Sequence, residues 1–262
     1  MKKQNNNIWY LLKTLVKADI KQKYQGSVLG ILWSLIVPLI MLTIYTFIFS
    51  EIFHTKWDID TSNKFQFALM LFCGLSIYNM FAEVLNRSVS LIHQNQNYVK
   101  KVVFPLELLP LVITFSALFN CLISFAVLII ANTVLGGIFH LTTLYAPLVL
   151  LPHVVFCAGI SYLVSAFSVY LRDMTSFVSV LVTVFMYLTP VFFPLNSIPE
   201  EFKNVMMFNV MTYAIENMRN VIIYGNPLKW DYFGISCIVS GVLFFLGWWV
   251  FKRVKVGFAD LL

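Results

Sequence analysis

From residue 108 to residue 171 the chain runs for 64 residues without an Asp, Glu, Lys or Arg. As one helix that stretch would be about 96 Å long at 1.5 Å per residue, roughly three times the hydrocarbon thickness of a bilayer. It must therefore turn back on itself, and Gly136-Gly137 through Pro147 is where turn-forming residues fall. Further uncharged runs occupy residues 24–50, 65–82, 174–193 and 232–251. Together they predict an all-α integral membrane protein with six transmembrane helices. The expected spans lie at about 29–50, 65–82, 108–135, 146–171, 174–193 and 232–251, in a single transmembrane domain over 1–262.

Composition excludes the soluble alternative. The chain is 60% hydrophobic and 11% charged, where a soluble domain carries roughly 25% charged residues to stay dissolved. The net charge of +6 does not mark a nucleic-acid binder, because the bases flank apolar runs instead of clustering with exposed aromatics. The N-terminal basic lead is expected to precede an uncleaved span, the first apolar run being too long for a signal peptide. With the N-terminus in the cytoplasm, the inner segments 1–23, 83–107, 172–173 and 252–262 hold 6, 3, 1 and 3 Lys or Arg, 13 in all, against 5 in 51–64 and 194–231. Basic residues favour the cytoplasmic side, so N-in, C-in is predicted.

Three segments outside the spans carry information. Within 1–23, Ile8, Leu11, Leu12, Leu15 and Ile20 lie on one helical face and Lys13, Lys17 and Lys21 on another. This predicts an amphipathic helix at the membrane interface, its lysines toward anionic lipid. Residues 83–101 are polar, with Val84, Leu85, Leu91 and Ile92 available to pack a short cytoplasmic helix. Residues 194–231 are apolar but interrupted by Asn209, Glu216, Asn217, Arg219 and Asn220, and Gly225-Asn226-Pro227 is a helix stop. A seventh span there would bury Glu216 and Arg219, each costing about 2.5 kcal/mol or more. Short re-entrant or interfacial helices on the outer face between spans five and six avoid that cost.

Enzymatic signatures are lacking: there is no Gly-Lys dipeptide for a phosphate-binding loop and no HExxH, CxxC or GxSxG. No metal site and no cofactor are expected, and the cysteines all fall in apolar runs. Ion-coupled carriers place ionisable residues in the membrane interior, and no carboxylate or amine falls inside the six predicted spans, where His153 fits a helix-packing partner better than a ligand. If the protein drives uphill movement, another chain must supply the energy.

Polar stripes interrupt two spans. Thr43, Thr46, Phe47 and Ser50 share a face of span one, and Ser176, Ser179, Thr183, Tyr187 and Pro190 share a face of span five at spacings of 3, 4, 4 and 3. Hydroxyls at such positions serve close helix packing as readily as they would line a wide path for sugar rings. Similar stripes in spans three (Ser116, Asn120, Ser124) and four (Ser161, Ser165, Ser168) fit packing better.

The block Asp19-Ile20-Lys21-Gln22-Lys23-Tyr24-Gln25-Gly26-Ser27-Val28-Leu29-Gly30-Ile31-Leu32-Trp33-Ser34-Leu35, followed by Pro38-Leu39, resembles the membrane subunit of ABC exporters of lipid-linked polysaccharides, most closely the O-antigen branch. The likeness continues through Val103-Phe104-Pro105-Leu106-Glu107-Leu108-Leu109-Pro110, Tyr170-Leu171-Arg172-Asp173, Pro190-Val191 to Pro199, and Glu216 to Arg219. The resemblance implies a homodimer in the bacterial inner membrane, paired with two copies of a separate cytoplasmic ATPase. It also implies an undecaprenyl-pyrophosphate-linked glycan as cargo and a channel lined by spans one and five. Teichoic acid, capsule or another cargo on the same architecture stays open. Arg87, Ser88, Leu91, Ile92, Gln94 and Asn95 would then form a coupling helix docking on the ATPase, with Arg172 and Asp173 a second contact loop. Lys21, Lys23 and Arg87 at the cytoplasmic rim suit a pyrophosphate headgroup and equally suit ordinary membrane topology.

Overall fold

The computed structural model describes residues 2–48, 65–100, 104–136, 139–195, 198–207 and 209–261. Among these the secondary structure is helical, in the order α1 (Lys2–Lys23), α2 (Trp33–Thr46), α3 (Gln66–Gln94), α4 (Gln96–Lys100), α5 (Leu108–Gly136), α6 (Ala146–Ser168), α7 (Met174–Tyr187), α8 (Glu200–Met207), α9 (Val210–Arg219), α10 (Trp230–Val254) and α11 (Phe258–Leu261). Among the described residues four helices are long and apolar enough to cross a membrane, over residues 66–94, 108–135, 141–168 and 230–257. The apolar stretches Gly30–Thr46 and Met174–Tyr187 are shorter.

Helix α3 is the axis of the bundle, with α2, α5, α6, α7 and α9 packed around it. Phe81 on α3 stacks with Phe156 of α6 at 5.9 Å and meets Phe185 of α7 at 5.4 Å. The Tyr78 hydroxyl donates to the Val182 carbonyl at 2.8 Å, fastening α7 to α3. Helix α10 lies outside this ring along α6 and α9. Its approach to α6 is close enough that a Cβ on Gly247 would sit 2.2 Å from the Gly159 carbonyl oxygen. Only glycine fits there.

The uncharged run of residues 108–171 turns where expected. Helix α5 stops at Gly136, and a 3-10 turn, Leu141–Tyr145, leads into α6 with Pro147 in its first turn. The stop after residue 224 is also present: α9 ends in a π turn, Asn220–Tyr224, closed by Gly225 at φ 69°. Two carbonyls of that wide turn are served from α5 and the 3-10 turn, Ile222 by Asn132 at 3.0 Å and Val221 by Thr142 at 2.7 Å.

Three features differ from the sequence expectation. Helix α3 does not end at Ala82 but continues to Gln94. No Gly or Pro breaks it between residues 75 and 94, and the charge of Glu83 is neutralised by neighbours instead of being expelled to water. Span five is cut short because α7 finishes at Tyr187, so 188–193 are not helical. Helix α1 follows α5 lengthwise: Leu12 packs on Leu108 and Val112, while the Tyr24 hydroxyl donates to Asn120 at 2.9 Å. Its apolar face covers protein as well as facing outward.

Candidate functional site

Two faces of the bundle are polar and open. On α7, Ser176, Ser179, Thr183 and Tyr187 are all exposed, in helical register. The Ser179 hydroxyl donates back to the Ser176 carbonyl at 2.8 Å, and Thr183 to that of Ser179 at 3.0 Å. On α2, Thr43 is exposed with its hydroxyl on the Leu39 carbonyl at 2.8 Å, Thr46 is half-buried, and Phe47 is 59% exposed. The hydroxyl protons of Thr43, Ser179 and Thr183 are thus spent on their own helices, which leaves those oxygens facing outward as acceptors. Stripes of this kind offer hydrogen-bond acceptors beside flat apolar faces.

Where α1, α3 and α5 meet, four charged side chains form one ionic network, extended by two neutral ones. Lys23 pairs with Glu83 at 2.8 Å, and Arg87 pairs with Asp19 and lies 3.5 Å from Glu83. The Asn120 amide donates to Glu83 at 3.1 Å, with Tyr24 on its other side. A polar cleft of about 550 Å³ opens beside the network, bordered by Gln22, Asn86, Gln94 and Asn95. At the opposite end of α3, Arg219 is 1% exposed. Its guanidinium pairs with Glu216 at 3.3 Å and donates to the carbonyls of Met70 at 3.2 Å and Val191 at 2.9 Å. One side chain therefore ties α9, α3 and the segment after α7 together.

The end of the bundle where α3 stops and α5 starts gathers several short segments. Tyr98 of α4 stacks on Phe104 at 4.4 Å, and α11 lies against α4. The Tyr170 hydroxyl donates to the Val254 carbonyl at 3.1 Å, and Phe258 is buried beneath it. Lys255 pairs with Glu107. Burial alone would raise the Glu107 carboxyl, but the hydrogen bond and charge of Lys255 outweigh it and hold the group below its ordinary value. Arg172 and Asp173 are exposed in the turn between α6 and α7.

The profile of ABC-2 type transporters matches residues 10–223. The chain belongs to the ABC-2 type transporter family. It is 30% identical over 264 aligned residues to an O-antigen export system permease protein RfbA of Klebsiella pneumoniae, with 99% of each chain covered. An O-antigen export system permease protein RfbA of Myxococcus xanthus is 28% identical across 73% of this chain and 71% of its own. The polysialic acid transport protein KpsM of Escherichia coli is 26% identical across 82% of this chain and 81% of its own. This ABC-2 chain is a multi-pass membrane protein.

Against that family frame the predicted residues divide. The α7 stripe holds for Ser176, Ser179, Thr183 and Tyr187, but Pro190 is buried: the helix ends at Tyr187, so the spacing that would bring Pro190 onto the face no longer applies. Thr43, Thr46 and Phe47 are present on α2, and Ser50 lies outside the described residues. Of the coupling set, Ser88 is fully buried and shares a hydrogen bond with Ser161 at 2.7 Å, and Leu91 and Ile92 are 6% and 0% exposed. They are core residues of α3 and no surface for docking. Gln94, Arg172 and Asp173 are exposed and Asn95 is half-buried, and the open surface extends instead through His93 and α4, with Gln96, Asn97, Tyr98 and Lys100. Lys23 and Arg87 are engaged by carboxylates, whereas Lys21 points to an apolar groove.

Sequence reasoning passed over Asp19, Glu83 and Asn120 as partners, although Glu83 and Arg87 stand four residues apart as helical ion pairs do. It also kept Glu216 and Arg219 out of the interior on the cost of burial in lipid. Arg219 is buried in protein, paired with the half-buried Glu216 and bonded to two carbonyls, and those partners offset the cost. His153 is likewise a packing residue, its Nε2 donating to the Ile77 carbonyl at 3.1 Å.

Proposed function

We propose that this chain is the channel-forming subunit of an ATP-driven exporter that moves a lipid-linked polysaccharide of the O-antigen class across the bacterial inner membrane. The similarity to an O-antigen export permease over 99% of both chains carries the reading. The cargo would be a glycan on an undecaprenyl-pyrophosphate carrier. Two copies of the chain would pair, because one bundle is too narrow to enclose a glycan and a two-fold pair is the simplest closed assembly. Two copies of a cytoplasmic ATPase would supply the energy.

In this reading the chain crosses the membrane six times, N-in and C-in. Helices α2 and α7 are the shorter crossings, α8 and α9 re-enter from the outer face, and Arg219 holds that outer element to α3. The open stripes of α2 and α7 face the shared path, where hydroxyl oxygens and Phe47 and Tyr187 meet sugar rings. The exposed end formed by His93, α4, Arg172 and Asp173 receives the ATPase, in place of the buried Ser88, Leu91 and Ile92. The carboxylates of Asp19 and Glu83 hold Lys23 and Arg87 until a pyrophosphate, with a higher charge, competes for them. Capsular polysaccharide is the second reading, favoured by the similarity to the polysialic acid transport protein.

Deleting the gene in its host and restoring it with variants tests the proposal. Deletion is expected to abolish surface O-antigen on immunoblots, and Thr183→Arg or Tyr187→Arg to fail to restore it while the protein still inserts and still stimulates its ATPase. Unchanged O-antigen with lost capsule would assign the second cargo. Full export by Thr183→Arg and Tyr187→Arg would remove α7 from the path.

A further inference from the structure

Helix α1 carries two kinds of cation. Lys23 is neutralised by Glu83 on the side facing α3. Lys13, Lys17 and Lys21 are exposed, form a row at every fourth residue, and pair with no carboxylate among the described residues. That row borders a second cavity, a groove of about 800 Å³ between α1, α5 and the 3-10 turn at Gly30 and Ile31 that precedes α2. Its walls are apolar: Leu12, Val16 and Ile20 from α1 face Phe115, Leu118 and Leu122 from α5. Trp9 stands at one end, with the Lys13 ammonium 5.2 Å from its ring. From Trp9 to Lys21 the groove follows α1 for about 18 Å, and its volume lies within the ~300–1,000 Å³ of sites that hold an apolar ligand.

We propose that this groove is a binding site for an anionic membrane phospholipid, distinct from the transport path and independent of the cargo. One acyl chain lies along the floor between α1 and α5, and the headgroup phosphate sits on the row Lys13, Lys17 and Lys21. The charge pattern selects the occupant. A neutral acyl chain alone would not need three uncompensated ammonium groups along one wall, and a protein segment would need an acidic row to match them, whereas an anionic lipid brings charge and tail in one molecule. A lipid phosphate satisfies the lysines, and its tail satisfies the wall. Basic pockets beside membrane helices bind anionic headgroups for the same reason. Occupied, the site fixes α1 against α5 and so holds Asp19 and Lys23 in place on α3.

Tryptophan quenching by brominated lipids tests this on the full-length chain in phosphatidylcholine nanodiscs. The Trp9 contribution is isolated by comparison with Trp9→Phe, because the chain has six tryptophans. Brominated phosphatidylglycerol at a low fraction is expected to quench Trp9 with an apparent affinity at least about fivefold above that of brominated phosphatidylcholine, about the contribution of a single lysine. The surface variant Lys13→Gln/Lys17→Gln/Lys21→Gln should abolish the preference, and the matching Arg variant should keep it. Equal quenching by both lipids overturns the proposal, as does a preference that survives in the Gln variant. No quenching by either lipid would mean that a second copy of the chain covers the groove. Displacement only by a polyprenyl phosphate would make the groove a carrier site. Either result also overturns it.

Discussion

Helices α3 and α10 are built from similar material and meet opposite fates. Both are long and apolar enough to cross a membrane, yet 83% of the most apolar window of α3 is buried inside the protein and only 17% of that of α10. Helix α3 carries Glu83 and Arg87, and each finds an opposite charge on α1 or α3. Helix α10 carries no charge between Tyr232 and Phe251. One narrow face, with Ser236, Ser240, Gly247 and Phe251, is buried, while Ile238, Val242, Phe245 and Trp249 are exposed. At its end Lys252 and Arg253 lie over Trp248 and Trp249 at 4.9 and 5.5 Å, an aromatic and basic finish suited to a membrane interface. The lesson concerns solvent. A helix whose solvent is lipid must be apolar wherever it is exposed, whereas a helix whose solvent is other helices can carry charge if they bring the partner.

The contrast can be broken most severely at Arg219. Arg219→Met leaves Glu216 without its cation and strips a donor from the Met70 and Val191 carbonyls beside α3. A loss of about 3–5 kcal/mol is expected, seen as a collapse in folded yield on size-exclusion chromatography of the detergent-extracted protein. Next is the one place where α10 is tightly held. Gly247→Ala drives a methyl into the Gly159 carbonyl and should cost about 1–3 kcal/mol, lowering the melting temperature by about 2–4 °C for each kcal/mol. A melting temperature within error of wild type would show that α10 is free to slide on α6.

A smaller effect is expected at the ion pair that ties the end of α10 to the start of α5. The Glu107 carboxyl is held below its ordinary value in the folded protein, so its stabilisation is complete above the usual carboxylate range and is lost as pH falls through the lowered value. Glu107→Gln should flatten that acid limb of the melting-temperature profile, and an unchanged limb would assign it to other groups. Smallest of all should be Phe245→Ala on the outer face of α10. Phe245 is 68% exposed, and truncation there should stay within about 0.5 kcal/mol. A larger loss would mean that a partner helix, and no lipid, covers that face.

Much of the path from sequence to site was legible because bilayer chemistry is written residue by residue. The turn inside 108–171, the stop at Gly225 and the open stripe on α7 follow from charge exclusion, glycine geometry and helical period, all local properties. Pro190 fell away because a stripe persists only while the helix does, and α7 stops six residues before its apolar run ends. Ser88, Leu91 and Ile92 read as a surface because they follow Glu83, and a charge inside an apolar run looks like its end when its partners are invisible.

The sequence by itself determined that this chain needs a membrane, where its uncharged runs lie, and which family it joins, since those depend on composition and on short contiguous blocks. Only the tertiary structure decided which charges are spent and which are free. Lys23 and Lys21 stand two residues apart, yet one meets Glu83, sixty positions away, and the other borders an open groove. Pairing of that kind depends on which helices lie side by side, and no local pattern in α1 encodes the neighbour it will meet.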